Sequence, residues 1–420
     1  MVNPLRTGFQ AARRLAQTSF ALQKTGLHWL RHRDTPMPIL ARTAVEELGS
    51  TYIKLGQLVA SSPSLFPHEY VEAFQSCLDQ TTPLPFKVIE NVLKQELGPV
   101  LQRHFRDIDA TPLASASIAQ VHAARLYSGE DVVIKVQKPG VDTILDTDFQ
   151  FMAASAWVLE KTLRQIPEAA LTDMVAEIRN GMMEECDFVR EADNIDLYAH
   201  FLASNSITHV TVPLVYRQSS TRRVLTLERF HGVSLSNLDA VRQYHPHPEQ
   251  ALIDALNTWF ASLTQCQIYH ADLHAGNVMM LQDGRIGFID FGIVGRISKT
   301  TWASLMQLIE TVPTGNFPVI AQALAGIGAT HTHVNTTVLA KDLEQLWLQL
   351  QTDNVEDQLF QDITLRISAL GRQHGIRFPR EFTLLLKQFL YFDRYIRLLS
   401  PGLDLFGDER ILFSPAHRSG

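Results

Sequence analysis

The chain of 420 residues is 45% hydrophobic and 19% charged. That is enough apolar material for one large two-lobed domain with an extension, or for two to three ordinary domains. A formal charge of -7 argues against a general nucleic-acid binder, because neutralising phosphates requires a cationic surface. Cys77, Cys186 and Cys266 lack the spacing of a disulfide framework or a zinc site and fit a reducing compartment.

Basic charge gathers at the start. Residues 1–33 carry Arg6, Arg13, Arg14, Lys24, Arg31 and Arg33 and no acidic residue. Leu5, Phe9, Leu15, Phe20, Leu22 and Leu27 recur between them at roughly helical intervals. Residues 1–38 therefore read as a basic amphipathic segment, able either to lie on an anionic membrane or to pack on the main body with its basic face exposed. The pattern has a weak likeness to a mitochondrial presequence and lacks the compact apolar run of a secretory signal. A helical extension follows over 39–110. Its first helix runs from Ile39 to Ser62 and closes at Pro63; a second helical unit runs from Pro67 to Arg106, broken at Thr81-Thr82-Pro83-Leu84-Pro85.

The texture turns β-rich near Thr111. Ile118–Tyr127 and Asp131–Gln137, joined by Ser128-Gly129-Glu130, read as a hairpin. Helical patterns occupy 143–163 and 171–201, and strand-like runs follow at 210–216 and 224–227. From Gln250 the chain is mostly helical, apart from a strand pair at 278–281 and 285–289 that turns at Asp283-Gly284. A small sheet with a few helices ahead of a larger helical half is an α+β, bilobal protein-kinase-like plan, with an N-lobe over 111–228 and a C-lobe over 229–420. No apolar run reaches the roughly 18–20 residues of a membrane-spanning helix. The tail from Glu381 to Leu399 is interrupted by Lys387, Asp393, Arg394 and Arg397.

Chemistry concentrates in His270-Ala271-Asp272-Leu273-His274-Ala275-Gly276-Asn277 and, after the strand pair, Ile289-Asp290-Phe291-Gly292. Asp272 can accept or orient a hydroxyl proton, Asn277 can hold a divalent cation, and Asp290 can hold that cation against nucleotide phosphates. Lys135 in Val132-Val133-Ile134-Lys135-Val136 supplies a cation for the α and β phosphates, since alternation on a strand turns it away from the lobe core. An acidic partner is available among Glu184, Glu185, Asp187 and Glu191. Glu185 and Asp187 point about 200° apart in an unbroken helix, so both reach one site only if the helix bends or begins nearby. Where a glycine loop should stand the chain has Ala114-Ser115-Ala116-Ser117-Ile118-Ala119-Gln120-Val121-His122, a stiffer segment that approaches phosphates differently. No Ala-Pro-Glu follows Asp290. Thr226, Glu228 and Phe230 read, by position, as a hinge that meets the adenine.

The stretch from Ala114 to His122 resembles the alanine-rich loop of the UbiB family of atypical kinases. Lys54-Leu55-Gly56-Gln57 resembles that family's Lys-x-Gly-Gln motif, and Glu185-Cys186-Asp187 its Glu-x-Asp element. The resemblance runs from about Ala41 to the Asp-Phe-Gly element. It implies that Ala114, Ser115, Ala116 and Ser117 line the nucleotide site and that Lys135 contacts phosphates and pairs with Glu191. It further implies Asp272 as the catalytic aspartate and Asn277 and Asp290 as metal ligands, with ATP and Mg2+ as cofactors. The helix bearing Lys54 and Gln57 would fold over the site near Glu185 and Asp187 and block the usual protein-substrate entrance. Lys54, Gln57 and Ser61 do share one helical stripe.

The family's place in ubiquinone and related prenyl-lipid metabolism implies prenyl-lipid or quinone intermediates and quinone-biosynthesis proteins as partners, with a homodimer allowed and no nucleic acid. It also implies a location peripheral to the bacterial inner membrane, or on the matrix face of a mitochondrion. Two rivals remain open. A small-molecule phosphotransferase of the aminoglycoside or choline type shares the His-x-Asp-Leu-His-x-Gly-Asn pattern, and a non-catalytic nucleotide- or lipid-binding scaffold would suit the alanine loop.

Overall fold

A computed structural model describes residues 83–162, 170–330 except 236 and 246, 334–352, 373–403 and 408–411, with parts of 23–74 and 366–371. Contacts divide the chain into two compact units. The first contains residues 66–193 and 214–229 with the segments before Ser62; the second contains 194–213 and 230–420.

The first unit opens with two helices, α1 (Met37–Leu48) and α2 (His68–Phe74), joined through Ala41, Val45, Tyr70 and the buried ring of Phe74. The helix expected from Ile39 is thus present to Leu48. Tyr52 and Gly56 are buried helical residues beyond it, whereas Lys54, Gln57 and Ser61 lie outside the described residues. Pro83–Pro85 break the helical run as the sequence indicated. Two helices follow, α3 (Phe86–Leu97) and α4 (Pro99–His104).

Strand β1 (Phe105–Ser115) then starts ahead of the β-rich texture expected near Thr111. Its sequence hides it because it is an edge strand. Only Phe105 is fully buried, Pro112 sits among register shifts, and the alternation that marks a half-buried strand is absent. The hairpin of β2 (Ala119–Leu126) and β3 (Asp131–Gln137) forms as expected. Helices α5 (Val141–Thr162), α6 (Ala170–Glu185) and α7 (Phe188–Ser204) follow. After β4 (Val210–Thr211), β5 (Val224–Glu228) closes an antiparallel sheet in the order β1-β2-β3-β5. Val132, Ile134 and Val136 project from one face of β3 into a core with Ile89, Val92, Leu93 and Leu97 of α3. Period-2 alternation therefore puts Val133 and Lys135 on the other face.

The second unit carries β6 (Gly232–Ser234), α8 (Leu238–Tyr244), α9 (Pro248–Gln265), β7 (Tyr269–His270), β8 (Val278–Leu281), β9 (Ile286–Phe288) and β10 (Val294–Gly295). Its sheet has the order β4-β9-β8-β6, and β7 pairs with β10. The β8–β9 turn holds Gly284 at φ +86, a conformation an L side chain rarely adopts. Helices α10 (Lys299–Thr311) and α11 (Phe317–Ile327) lead through β11 (Ala329–Thr330) to α12 (Thr336–Thr352). After β12 (Ile376–Arg377) comes α13 (Arg380–Leu399). Trp259 of α9 is fully buried, with Phe260, Tyr269, Phe389 and Phe392 packed edge-on around it, so α13 is anchored on α9. Among the described residues no helix is long and apolar enough to cross a membrane.

Candidate active site

In the first unit, Lys135 Nζ donates to both carboxylate oxygens of Glu191 at 2.9 Å. Glu191 is 2% exposed and Lys135 15% at the side chain, and the ammonium lies 5.3 Å above the Phe188 ring. The chain reaches this geometry by leaving the helix between Glu185 and Phe188. Asp187 caps the new helix, its Oδ1 accepting from the Val189 amide at 3.1 Å. Glu191 therefore falls in the first turn of α7, and the break the sequence required before Glu185 and Asp187 could converge is present. Cys186 between them is buried, its carbonyl accepting from Gln137 Nε2 at 3.0 Å, and Arg222 Nε stands 3.5 Å from Asp187 Oδ2.

The alanine-rich stretch is mostly strand rather than loop. Ala114 and Ser115 end β1, Ala119 to His122 belong to β2, and the intervening turn closes with the Ala116 amide donating to the Ala119 carbonyl at 2.9 Å. Gln120 and His122, both fully buried, serve the scaffold. Gln120 Oε1 accepts from the Leu84 amide and its Nε2 donates to the Leu84 carbonyl, while His122 Nδ1 bonds the Asp109 carbonyl at 2.7 Å. Ser117 differs from them: its hydroxyl is buried and finds no hydrogen-bond partner among the described residues. Of the hinge residues, Thr226 is buried and donates to the Ser219 carbonyl. Glu228 Oε2 accepts from the Leu214 amide at 3.1 Å. The Phe230 ring lies so close to Gly287 that a Cβ there would stand 2.7 Å from it.

In the second unit a dense hydrogen-bond web holds the acidic loop. His270 is buried; its Nδ1 accepts from the Asp272 amide at 3.1 Å and its Nε2 faces the Ile289 carbonyl at 3.0 Å. An amide nitrogen can only donate and a carbonyl only accept, so the ring is the neutral tautomer with its proton on Nε2. Burial pushes its pKa below the ordinary histidine value, against the raising effect of that bond and of Asp272 and Asp290. Asn277 Nδ2 donates to the Asp272 carbonyl at 2.9 Å, leaving Oδ1 as the oxygen it can offer a cation. Asp290 adopts φ +60, unusual for a residue with a Cβ, and its Oδ1 accepts from the Gly292 amide at 3.3 Å.

Helix α13 supplies residues that the sequence did not single out for the site. Lys387 Nζ donates to Asp272 Oδ1 at 2.7 Å. Gln388 Oε1 accepts from the Leu273 amide at 2.9 Å, and Tyr395 Oη donates to the Leu273 carbonyl at 2.8 Å. Residues 387, 391 and 395 recur every four positions and share one helix face. That periodicity was available in the sequence; nothing there says which loop the face meets.

Carboxylate and amide oxygens at Asp290 and Asn277 suit a hard divalent cation. In the first unit, Lys135 and the buried Ser117 hydroxyl suit phosphate oxygens, so each unit taken by itself carries residue types that fit part of a magnesium nucleotide.

The antiparallel sheet with its Lys–Glu pair, and the Asp/Asn/Asp loop system of the second unit, define a protein-kinase-like α+β protein. Residues 76–324 match the ABC1 atypical kinase-like domain, and the chain belongs to that family, which takes in UbiB and the aarF domain-containing kinases. The chain is 43% identical over 407 residues to an uncharacterised chloroplastic aarF domain-containing protein kinase of Arabidopsis thaliana, covering 91% of this chain and 75% of the relative. It is 33% identical over 410 residues to an uncharacterised protein of Mycobacterium tuberculosis, covering 95% of this chain and 83% of that one. A probable protein kinase UbiB of Shewanella frigidimarina is 28% identical over 396 residues, covering 92% and 71%. Among solved structures, the complex of a Mycobacterium tuberculosis protein with erythromycin shares the fold at TM-score 0.52 and 23% identity, covering 85% of this chain and 93% of that one.

Proposed function

We propose that this chain is an Mg-ATP-dependent atypical kinase or ATPase that supports ubiquinone or related prenyl-quinone biosynthesis by acting on lipid intermediates or on biosynthetic partners at a membrane surface. The observation that carries the nucleotide reading is the buried Lys135–Glu191 pair: it holds an ammonium in place on the face of β3 opposite the core. In this reading Lys135 meets the α and β phosphates and the Ser117 turn adds a hydroxyl donor. Asn277 Oδ1 and Asp290 hold magnesium, whose charge offsets that developing on the transferred phosphoryl group. Asp272 orients the acceptor, water or a hydroxyl. Catalysis by this set is positioning and charge neutralisation.

The quinone assignment is supported by similarity to the UbiB relative. The helix bearing Lys54 and Gln57 enters the same proposal as the element that covers the protein-substrate entrance and brings Lys54 near Glu185 and Asp187. The location, peripheral to a bacterial or organellar membrane, also belongs to it.

The test begins with thermal melts with and without ATP and magnesium. A nucleotide-dependent rise in the wild type, lost in Asp290→Asn, supports the site, because the substitution removes the anionic metal ligand. An equal rise in both proteins refutes the metal assignment. Phosphate release assayed against water, prenyl-lipid vesicles and a panel of aminoglycosides and amino alcohols then separates an ATPase from a small-molecule phosphotransferase. Robust saturable phosphorylation of a soluble acceptor overturns the lipid reading. Unchanged quinone content in a strain lacking the gene removes the pathway assignment.

A further inference from the structure

The loop from His270 to Asn277 contains no lysine or arginine. A carboxylate in such a loop, working beside nucleotide phosphates, meets like charge, and repulsion between anions at short range disfavours the approach. His274 does not relieve it. Its Nδ1 accepts from the Gly276 amide at 2.9 Å, and its Nε2 stands 3.9 Å from Asp272 Oδ2, too far for a hydrogen bond.

The cation comes from 115 residues away. Lys387 Nζ meets Asp272 Oδ1 at 2.7 Å, with the two side chains 15% and 19% exposed. The ammonium also lies 5.5 Å from the centre of the Tyr391 ring, one turn along α13. We propose that Lys387, presented by helix α13, is the positioning residue of the phosphoryl-transfer loop: it locks the Asp272 carboxylate in one orientation and neutralises its charge against the incoming phosphates. This role rests on the nucleotide reading given above.

Two further features set the position of that ammonium. Gln388 and Tyr395 take up the amide and the carbonyl of Leu273, the residue next to Asp272, so the loop backbone and the Asp272 side chain are held by the same helix face. Gln388 makes its bond although its Nε2 is left buried without a partner among the described residues. Lysine suits the task because one compact ammonium can approach a single carboxylate oxygen closely, here Asp272 Oδ1.

The test compares wild type, Lys387→Met and Lys387→Arg. The readouts are ATP turnover at saturating Mg-ATP, KM for ATP, the thermal midpoint without ligand, and the midpoint shift produced by Mg-ATP. The role predicts that Lys387→Met lowers kcat by about 10²-fold, the scale of a mispositioned acid–base group, while KM and the nucleotide-induced shift stay within about twofold of wild type. Lys387→Arg recovers part of the loss. In an Asp272→Asn background, adding Lys387→Met costs no further turnover, because the group it positions is gone.

An active wild type with equally active Lys387→Met protein overturns the role. So does a loss that falls on KM and nucleotide binding, or collapse of the thermal transition in both Lys387 variants, which would assign the residue to packing. A wild type that binds and turns over no ATP refutes the nucleotide reading itself, and this role with it.

Discussion

Breaking the Lys135–Glu191 pair from one side should cost far more stability than removing it whole. Nζ lies 2.9 Å from each carboxylate oxygen, and the carboxylate is 2% exposed. Two unit charges 4 Å apart at an effective dielectric near 20 attract by about 4 kcal/mol, while taking each ion from water costs several kcal/mol. The intact pair is therefore close to neutral for folding. Lys135→Met deletes the attraction but keeps the desolvated carboxylate, with an expected loss of about 3–5 kcal/mol. Lys135→Met with Glu191→Leu removes both charges from a site walled by Phe188 and should return to within about 1–2 kcal/mol of wild type. The assay is urea unfolding without nucleotide, compared at constant m-value. A single variant within about 1 kcal/mol of wild type, or a double variant less stable than Lys135→Met, would refute the reasoning.

His270 gives stability a pH dependence. Its folded pKa lies below the ordinary value of 6.5 because of burial. Between those values the unfolded chain binds more protons than the folded one, so the histidine lowers stability as pH falls through about 6.5 and has no effect well above it. Urea midpoints at pH 7.5 and 5.5 should show this slope, and His270→Gln should flatten it; an equal slope in both proteins assigns it to other groups. Asp290→Asn should keep its unliganded thermal midpoint within a few degrees, since asparagine tolerates positive φ as readily as aspartate. A large drop would mean that the charge at 290 also holds the fold.

The sequence revealed most where chemistry or alternation is local. The β2–β3 hairpin, the Pro83–Pro85 break, the β8–β9 turn and the placing of Lys135 on the face of β3 opposite the core all follow from patterns within about ten residues. The helix break at Cys186–Asp187 was a conditional inference: two acids two positions apart can reach one site only if the helix bends or begins nearby, and here a new helix begins at Phe188. Edge strand β1 was illegible because its only fully buried side chain is Phe105, so it carries no period-2 signal. The alanine stretch was legible in part. Its last four residues fall in β2, inside the strand expected over 118–127, whereas Ala114 and Ser115 end the unforeseen edge strand β1; that Gln120 and His122 bond across to Leu84 and Asp109, partners 36 and 13 positions away, carried no local signal. Lys387 illustrates the same limit. Its interruption of an apolar helix argued only against a membrane span, and its partner stands 115 residues upstream.

That distance decides which perturbations of α13 can be interpreted. Deletion is the obvious way to ask whether the helix serves the acidic loop, and it should fail as a test. Phe382, Leu385, Phe389, Phe392, Tyr395 and Ile396 are all buried on this helix. At roughly 1.5–3 kcal/mol per large apolar side chain, their removal forfeits stabilisation comparable to the 5–15 kcal/mol by which an ordinary domain is folded. It would also strip the Trp259 cluster of Phe389 and Phe392 and leave the Leu273 amide and carbonyl unpaired in the interior. A chain ending at Pro379 is therefore expected to lose the cooperative thermal transition of its second unit and to be inactive for that reason alone. If the shortened chain instead melts cooperatively near the wild-type temperature, α13 is an appendage, and its contacts with Asp272 and Leu273 are incidental to the fold. Should the transition vanish, only side-chain substitutions that leave the apolar face intact, such as those at Lys387, report on the chemistry of the loop.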